Sequence, residues 1–220
     1  MHEQKLHKLV NDLQEILTGI PSHGETPQSE ELSREDLLAD LQERIGTCRL
    51  CSLCEGRTCT VPGYGPLDAK VMVIGEGPGA EEDRQGLPFV GAAGQYLDKW
   101  FSAIGLTRGE HLFIGNVVKC RPPGNRDPLP EEISSCMPYL KQQIEIIRPK
   151  VLLTVGRISA QALLETGDGI GRLRGRVYDF CGIPLVPTYH PSGVLRNPEY
   201  RRPVWEDLKL LKSLLDRDQS

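Results

Sequence analysis

The chain has 220 residues, 39% hydrophobic and 25% charged, a composition ordinary for a soluble protein and a length sufficient for one sizeable α/β domain. No apolar run approaches the roughly 20 residues that span a bilayer, and the opening MHEQKLHKLVNDLQEIL is too polar for a signal-peptide core. A membrane class is thereby excluded, and the expectation is a cytoplasmic protein. The net charge of −4 argues against a nucleic-acid partner, but it is unevenly spread: residues 1–45 hold ten acidic and four basic side chains, leaving 20 acidic and 22 basic for the other 175.

In chain order, Leu6, Leu9, Val10, Leu13, Ile16 and Leu17 recur at helical spacing and predict an amphipathic helix over 3–18. GIPSHGETPQSE then reads as a linker. Ser33, with Asp36 three residues on, forms a capping-box pattern opening a second helix that carries Leu37, Leu38, Leu41 and Ile45. That helix is either docked on the body or tethered for another protein, so residues 1–45 are set apart as an acidic helical extension with a possible protein partner. The remaining 46–220 form the main domain.

TCRLCSLCEGRTCT follows, with Cys48, Cys51, Cys54 and Cys59. In a cytoplasmic chain seven cysteines point to a metal or to catalysis rather than to a disulfide framework. Cys48-x-x-Cys51 places two thiolates on one side of a turn, a grip suited to a metal centre. Spacing alone allows a local set of four, ferredoxin-like or zinc, but the run has four residues before its last cysteine and Thr60 after it. Cys120 and Cys136 are further candidates, and Cys181 reads as a small buried hydrophobe.

Beyond the cysteines, strand-like runs at 71–74, 111–118, 151–155 and 185–189 alternate with helix-like segments at 92–104, 131–147, 157–165 and 203–216. This alternation predicts an α/β fold: a three-layer α/β/α sandwich around a mostly parallel four-stranded sheet, preceded by the N-terminal helical extension. Gly75-Glu76 follows the first strand, Asn116 lies late in the second and His190 follows the fourth. A parallel sheet sends all three to its carboxyl edge, where open α/β sheets bind ligands. Singly each has a duller role, as a cap, a backbone partner or a packed loop residue. GEGPG fits neither a dinucleotide fingerprint, since Pro78 removes an N–H donor, nor a P-loop, since Gly-Lys-Ser/Thr is absent.

Five motifs, CRLC (48–51), GEGPGAEEDRQGLPFVGAAG (75–94), NVVKCRPPGNRDP (116–128), the Cys136 helix and HPSGVLRNP (190–198), make residues 46–216 resemble the family 4, iron–sulfur uracil-DNA glycosylases. The resemblance implies a DNA-repair hydrolase that flips uracil out of single- or double-stranded DNA and cuts its N-glycosidic bond, leaving an abasic site. It implies a [4Fe–4S] cluster on Cys48, Cys51, Cys120 and Cys136, with Cys54 and Cys59 as spectators. It assigns catalysis to Glu76, Asn116 and His190. Gly77 and Asn125 join Phe89, which stacks on the base, and Glu82, which bars the thymine methyl. Val194, Leu195 and Arg196 are expected to fill the gap left in the duplex. The protein is expected to act as a monomer.

Two positions depart from the family pattern. Gly77 replaces the usual alanine of the first motif, and Gly193 stands where an aromatic often follows His-Pro-Ser. The Arg-Arg-Ile-His insertion of a branch that traps DNA covalently does not follow Cys120.

Overall fold

Residues 32–217 are described by the computed structural model of the protein, and their centre is a sheet of five strands where the sequence predicts four. The helix expected over 3–18 lies outside the described residues. Helix α1, Arg34–Thr47, opens at the predicted box: Ser33 Oγ accepts from Asp36 N at 3.1 Å, and the Asp36 carboxylate accepts from Ser33 N at 3.3 Å. A short helix α2, Leu53–Gly56, follows.

Strand β1 is Val71–Gly75, followed by helices α3, Ala80–Gln85, and α4, Ala92–Ala103. Strand β2 is Leu112–Asn116, helix α5 Pro130–Ile147, strand β3 Val151–Val155 and helix α6 Arg157–Leu164. A short helix α7, Ile170–Leu173, leads to strands β4, Tyr178–Phe180, and β5, Ile183–Thr188. Helices α8, Pro191–Arg196, and α9, Arg201–Arg217, close the described chain.

The sheet order is β2-β1-β3-β5-β4, parallel except for the last pair. Strands β1 to β3 are buried along their whole length, which accounts for their unbroken apolar runs. Side chains alternate between two cores. Val71, Val73 and Leu153 face α4 and α9 through Leu97, Phe101, Leu208 and Leu211. Met72, Ile74 and Leu152 face α1 and α5 through Leu38, Leu140 and Ile144. The three layers are thus those the alternation predicts.

Strand β4 escaped the sequence because it is three residues long with none of them buried, leaving no apolar run to detect. It pairs antiparallel with β5 across Cys181-Gly182, whose φ values of 52° and 84° make the two-residue primed turn that matches strand twist. Cys181 is consequently exposed at a turn, not buried as expected. The second strand is also shorter than predicted. After Asn116 the chain leaves the ladder, and the N–H groups of Val117 and Val118 donate to the carbonyls of Gly75 and Glu76 at 2.9 and 3.0 Å.

Helix α1 belongs to the body. Leu41 and Ile45 are completely buried, Leu38 packs in one cluster with Leu140 and Ile144 of α5, and the compact unit begins at Ser33. Arg34 donates to the carbonyls of Ile146 and Ile147 at 2.7 and 2.8 Å, satisfying the free end of α5. Among the described residues no helix is long and apolar enough to cross a membrane.

Candidate functional site

A cavity of about 490 Å³ opens at the carboxyl edge of the sheet. Glu76 and Gly77 reach it from the end of β1, Asn116 from β2, Gly156 and Arg157 from β3, and His190 from just beyond β5. Phe89 and Glu82 enter from the loop and helix after β1, and Asn125 from the turn before α5. The polar trio and the aromatic ring expected to converge therefore do so.

Phe89 is held unusually firmly. Its φ of 52° is left-handed, a conformation that costs a bulky residue of order 1–3 kcal/mol and persists only where the surroundings impose it. Glu82 Oε1 accepts from Val90 N and Gly91 N at 2.9 and 3.0 Å. Arg108, oriented by Asp98, donates to the carbonyls of Pro88 and Phe89 at 2.8 and 2.9 Å. A Cβ on Gly94 would lie 1.7 Å from the Phe89 carbonyl, so only glycine lets α4 start there. Glu82 is thus first a clamp on the aromatic turn.

Gly75 performs the same service for the ring and the amide. A Cβ there would fall 2.3 Å from Asn116 Oδ1 and 2.7 Å from Phe89 Cζ. Gly77 is also confined: an alanine methyl would meet Val118 Cγ2 at 2.7 Å, so the valine side chain would have to shift. Asn116 is 1% exposed, and its Oδ1 is buried without a hydrogen-bond partner. A buried orphan acceptor costs about 1–3 kcal/mol. On a residue that lines the cavity, such an acceptor asks for a ligand N–H.

His190 supplies the opposite polarity. Its Nδ1 accepts from Ser192 N at 3.2 Å and lies 2.7 Å from Ser192 Oγ, which assigns the proton to Nε2. Burial, with Arg196 nearby, pushes the imidazole down to about 4, so it is neutral at physiological pH. Its ring centroid stands 5.8 Å from that of Phe89. Glu76 is displaced the other way. Burial and the neighbouring Asp127 raise it to about 7, with Arg157 opposing. Two titratable groups driven apart in this manner mark a site built for acid–base work.

Asp127 and Arg157, both lining the cavity, are ion-paired and went unnoticed in the sequence. The signal was available: Gly156-Arg157 follows the third strand as Gly75-Glu76 follows the first. Arg126, another lining residue, is gripped by buried Glu132 at 2.7 and 2.9 Å. The expected wedge is corrected in part. Val194 is completely buried in the core and anchors α8, whereas Leu195 is 45% exposed and Arg196 reaches the cavity.

The cysteines form a second, smaller site on the other side of the loop after β2. Cys48, Cys51, Cys120 and Cys136 line one cavity, and Cys54 lines it too, while Cys59 and Cys181 do not. None of the seven is joined in a disulfide, and among the described residues no three ligand side chains stand in metal-holding geometry. The donor chemistry nevertheless fits a soft metal centre. Cys136 Sγ accepts from Lys119 N at 3.3 Å, and Cys120 Sγ from Arg57 at 3.1 Å. Burial holds Cys136 up at about 11 and raises Cys120 and Cys51, so gathering these groups as thiolates requires a compensating cation.

Comparison with known proteins gives the same answer from another direction. The model of the uracil DNA glycosylase superfamily matches residues 62–209. The chain is 44% identical to the type-4 uracil-DNA glycosylase of Sulfurisphaera tokodaii, over 81% of this chain and 85% of that protein. It is 45% identical to the type-4 enzyme of Pyrobaculum aerophilum, over 79% and 92%. Against the type-4 enzyme of Thermotoga maritima it is 44% identical, over 84% and 98%.

Proposed function

The chain belongs to the uracil DNA glycosylase superfamily and to its type-4 group, and from that premise we propose how its own residues excise uracil from DNA. It is a uracil-DNA glycosylase, a repair hydrolase acting on an N-glycosidic bond. The observation that carries the residue assignment is the buried, unpartnered Oδ1 of Asn116 at the cavity wall.

An everted uracil enters the cavity with its face against Phe89. Asn116 Oδ1 accepts from uracil N3–H, a proton that cytosine lacks in its neutral form. A site built around one hydrogen bond rejects analogues that cannot make it, because its own buried group is then left unpaired. The clamped turn at Phe89 and Glu82 closes the space beside uracil C5, which excludes the thymine methyl.

Breaking the bond between N1 and C1′ leaves an oxocarbenium-like sugar and a uracil anion. Neutral His190 donates Nε2–H to uracil O2 as negative charge grows there, an interaction strengthened by exclusion of water. Glu76, ionised, takes the proton of the water that adds to C1′, with the backbone of Gly77 helping to hold that water. Asn125, whose Oδ1 accepts from Arg121 at 2.8 Å, fixes the rim of the cavity. Leu195 and Arg196 occupy the gap in the stack.

Cys48, Cys51, Cys120 and Cys136 would hold a [4Fe–4S] cluster, whose contribution is structural: it ties the start of the domain to the loop bearing Asn125. The enzyme works as a cytoplasmic monomer, and a protein partner for the acidic extension falls to the residues before Ser33. The direct assay is incubation with U·G, U·A, single-stranded U and T·G oligonucleotides followed by alkali. Strand scission at U and none at T is expected; scission at T, or none at U, would overturn the assignment.

A further inference from the structure

Lys119 is the largest charged side chain buried among the described residues, only 1% exposed, and none of the steps above uses it. Taking an ammonium out of water costs several kcal/mol unless its donors are satisfied. Its Nζ donates to the main-chain carbonyl of Asn116 at 2.8 Å and to Gln143 Oε1 at 2.6 Å, and Gln143 is held in turn by the Pro62 carbonyl at 2.5 Å. Its backbone N–H meets Cys136 Sγ.

The place explains the need. Strand β2 is an edge strand, and the antiparallel bridge from Tyr64 reaches only as far as Ile114. Two residues further on, at Asn116, no strand supplies a partner on that side. Lys119 reaches back three residues and does so. Fixing that carbonyl fixes the peptide plane leaving the Asn116 Cα, and with it the origin from which the amide is aimed.

We propose that Lys119 is a positioning residue for Asn116, and that through it the cysteine site and the uracil site share one rigid joint. The proposal rests on Asn116 reading uracil. Small displacements of a reading group are expensive: about 1 Å costs on the order of a hundredfold in rate.

The test is a double-mutant cycle in single-turnover excision of uracil from single-stranded DNA, with melting temperature and iron content recorded for each protein. Lys119→Met is expected to slow the wild type by about tenfold or more, and to slow Asn116→Ala by less than about twofold. An equal slowing in both backgrounds, or none in the wild type, overturns the proposal while leaving the excision mechanism intact. Asn116→Ala working at the wild-type rate would instead refute the site assignment itself. Should Lys119→Met not fold, Gln143→Met removes the second acceptor and leaves the lysine in place. The same vanishing effect in Asn116→Ala is expected of it, and equal slowing in both backgrounds again overturns the proposal.

Discussion

At the scale of single residues, the site displaces two titratable groups in opposite directions, Glu76 upward and His190 downward. Glu76, raised to about 7, keeps its proton longer than an ordinary carboxylate, so the ionised form accumulates only as pH rises through that value. Excision should therefore increase with pH along an acid limb centred near 7, and Glu76→Gln should abolish the limb together with most of the rate. The sign of the neighbours follows. Asp127→Asn removes a negative charge that favours the protonated form, so the limb should move to lower pH; Arg157→Gln should move it higher. A pH–rate profile of these variants checks all three. His190 contributes no limb between pH 5 and 8, since it is already neutral there. Its depressed value instead costs stability as pH falls from about 6.5 to about 4, because the unfolded chain then binds a proton the folded one resists.

Secondary-structure elements bring these residues within reach, and glycines set how closely they approach. Gly75→Ala places a methyl 2.3 Å from Asn116 Oδ1 and 2.7 Å from the Phe89 ring, so the amide and the aromatic must separate. Excision should fall by about a hundredfold while DNA affinity changes little, measured by single-turnover rates and fluorescence anisotropy. The cysteine loop and α5 form the other joint. Cys120→Ala should lose iron and visible absorbance, whereas Cys54→Ala should retain both; equal loss in the two would contradict the ligand set. Cys54 lies along the same cavity, which makes it the sharper control.

For the molecule as a whole, the layered α/β architecture was legible because β1 to β3 are buried on both faces and leave unbroken apolar runs. The parallel order carried Glu76, Asn116 and His190 to one edge without any knowledge of side-chain contacts. What escaped lies where burial leaves no periodic trace. Strand β4 is three residues at a sheet edge, none of them buried, and Val194 sits in a hexapeptide helix whose inward face is set by tertiary packing. The Asp127–Arg157 pair joins residues 30 apart, a proximity no local pattern records. Membership of Arg34–Thr47 in the body was likewise open in the sequence, and it rests on Leu38 packing in one cluster with Leu140 and Ile144 of α5. The central claim is that four strand ends present one buried acceptor to the N3–H of an everted uracil. Single-turnover release of uracil and of N3-methyluracil from otherwise identical single-stranded oligonucleotides tests it most directly. The account predicts that methylation of N3 slows release by at least about a hundredfold and that Asn116→Ala narrows the gap; equal release of both bases by the wild type would contradict it.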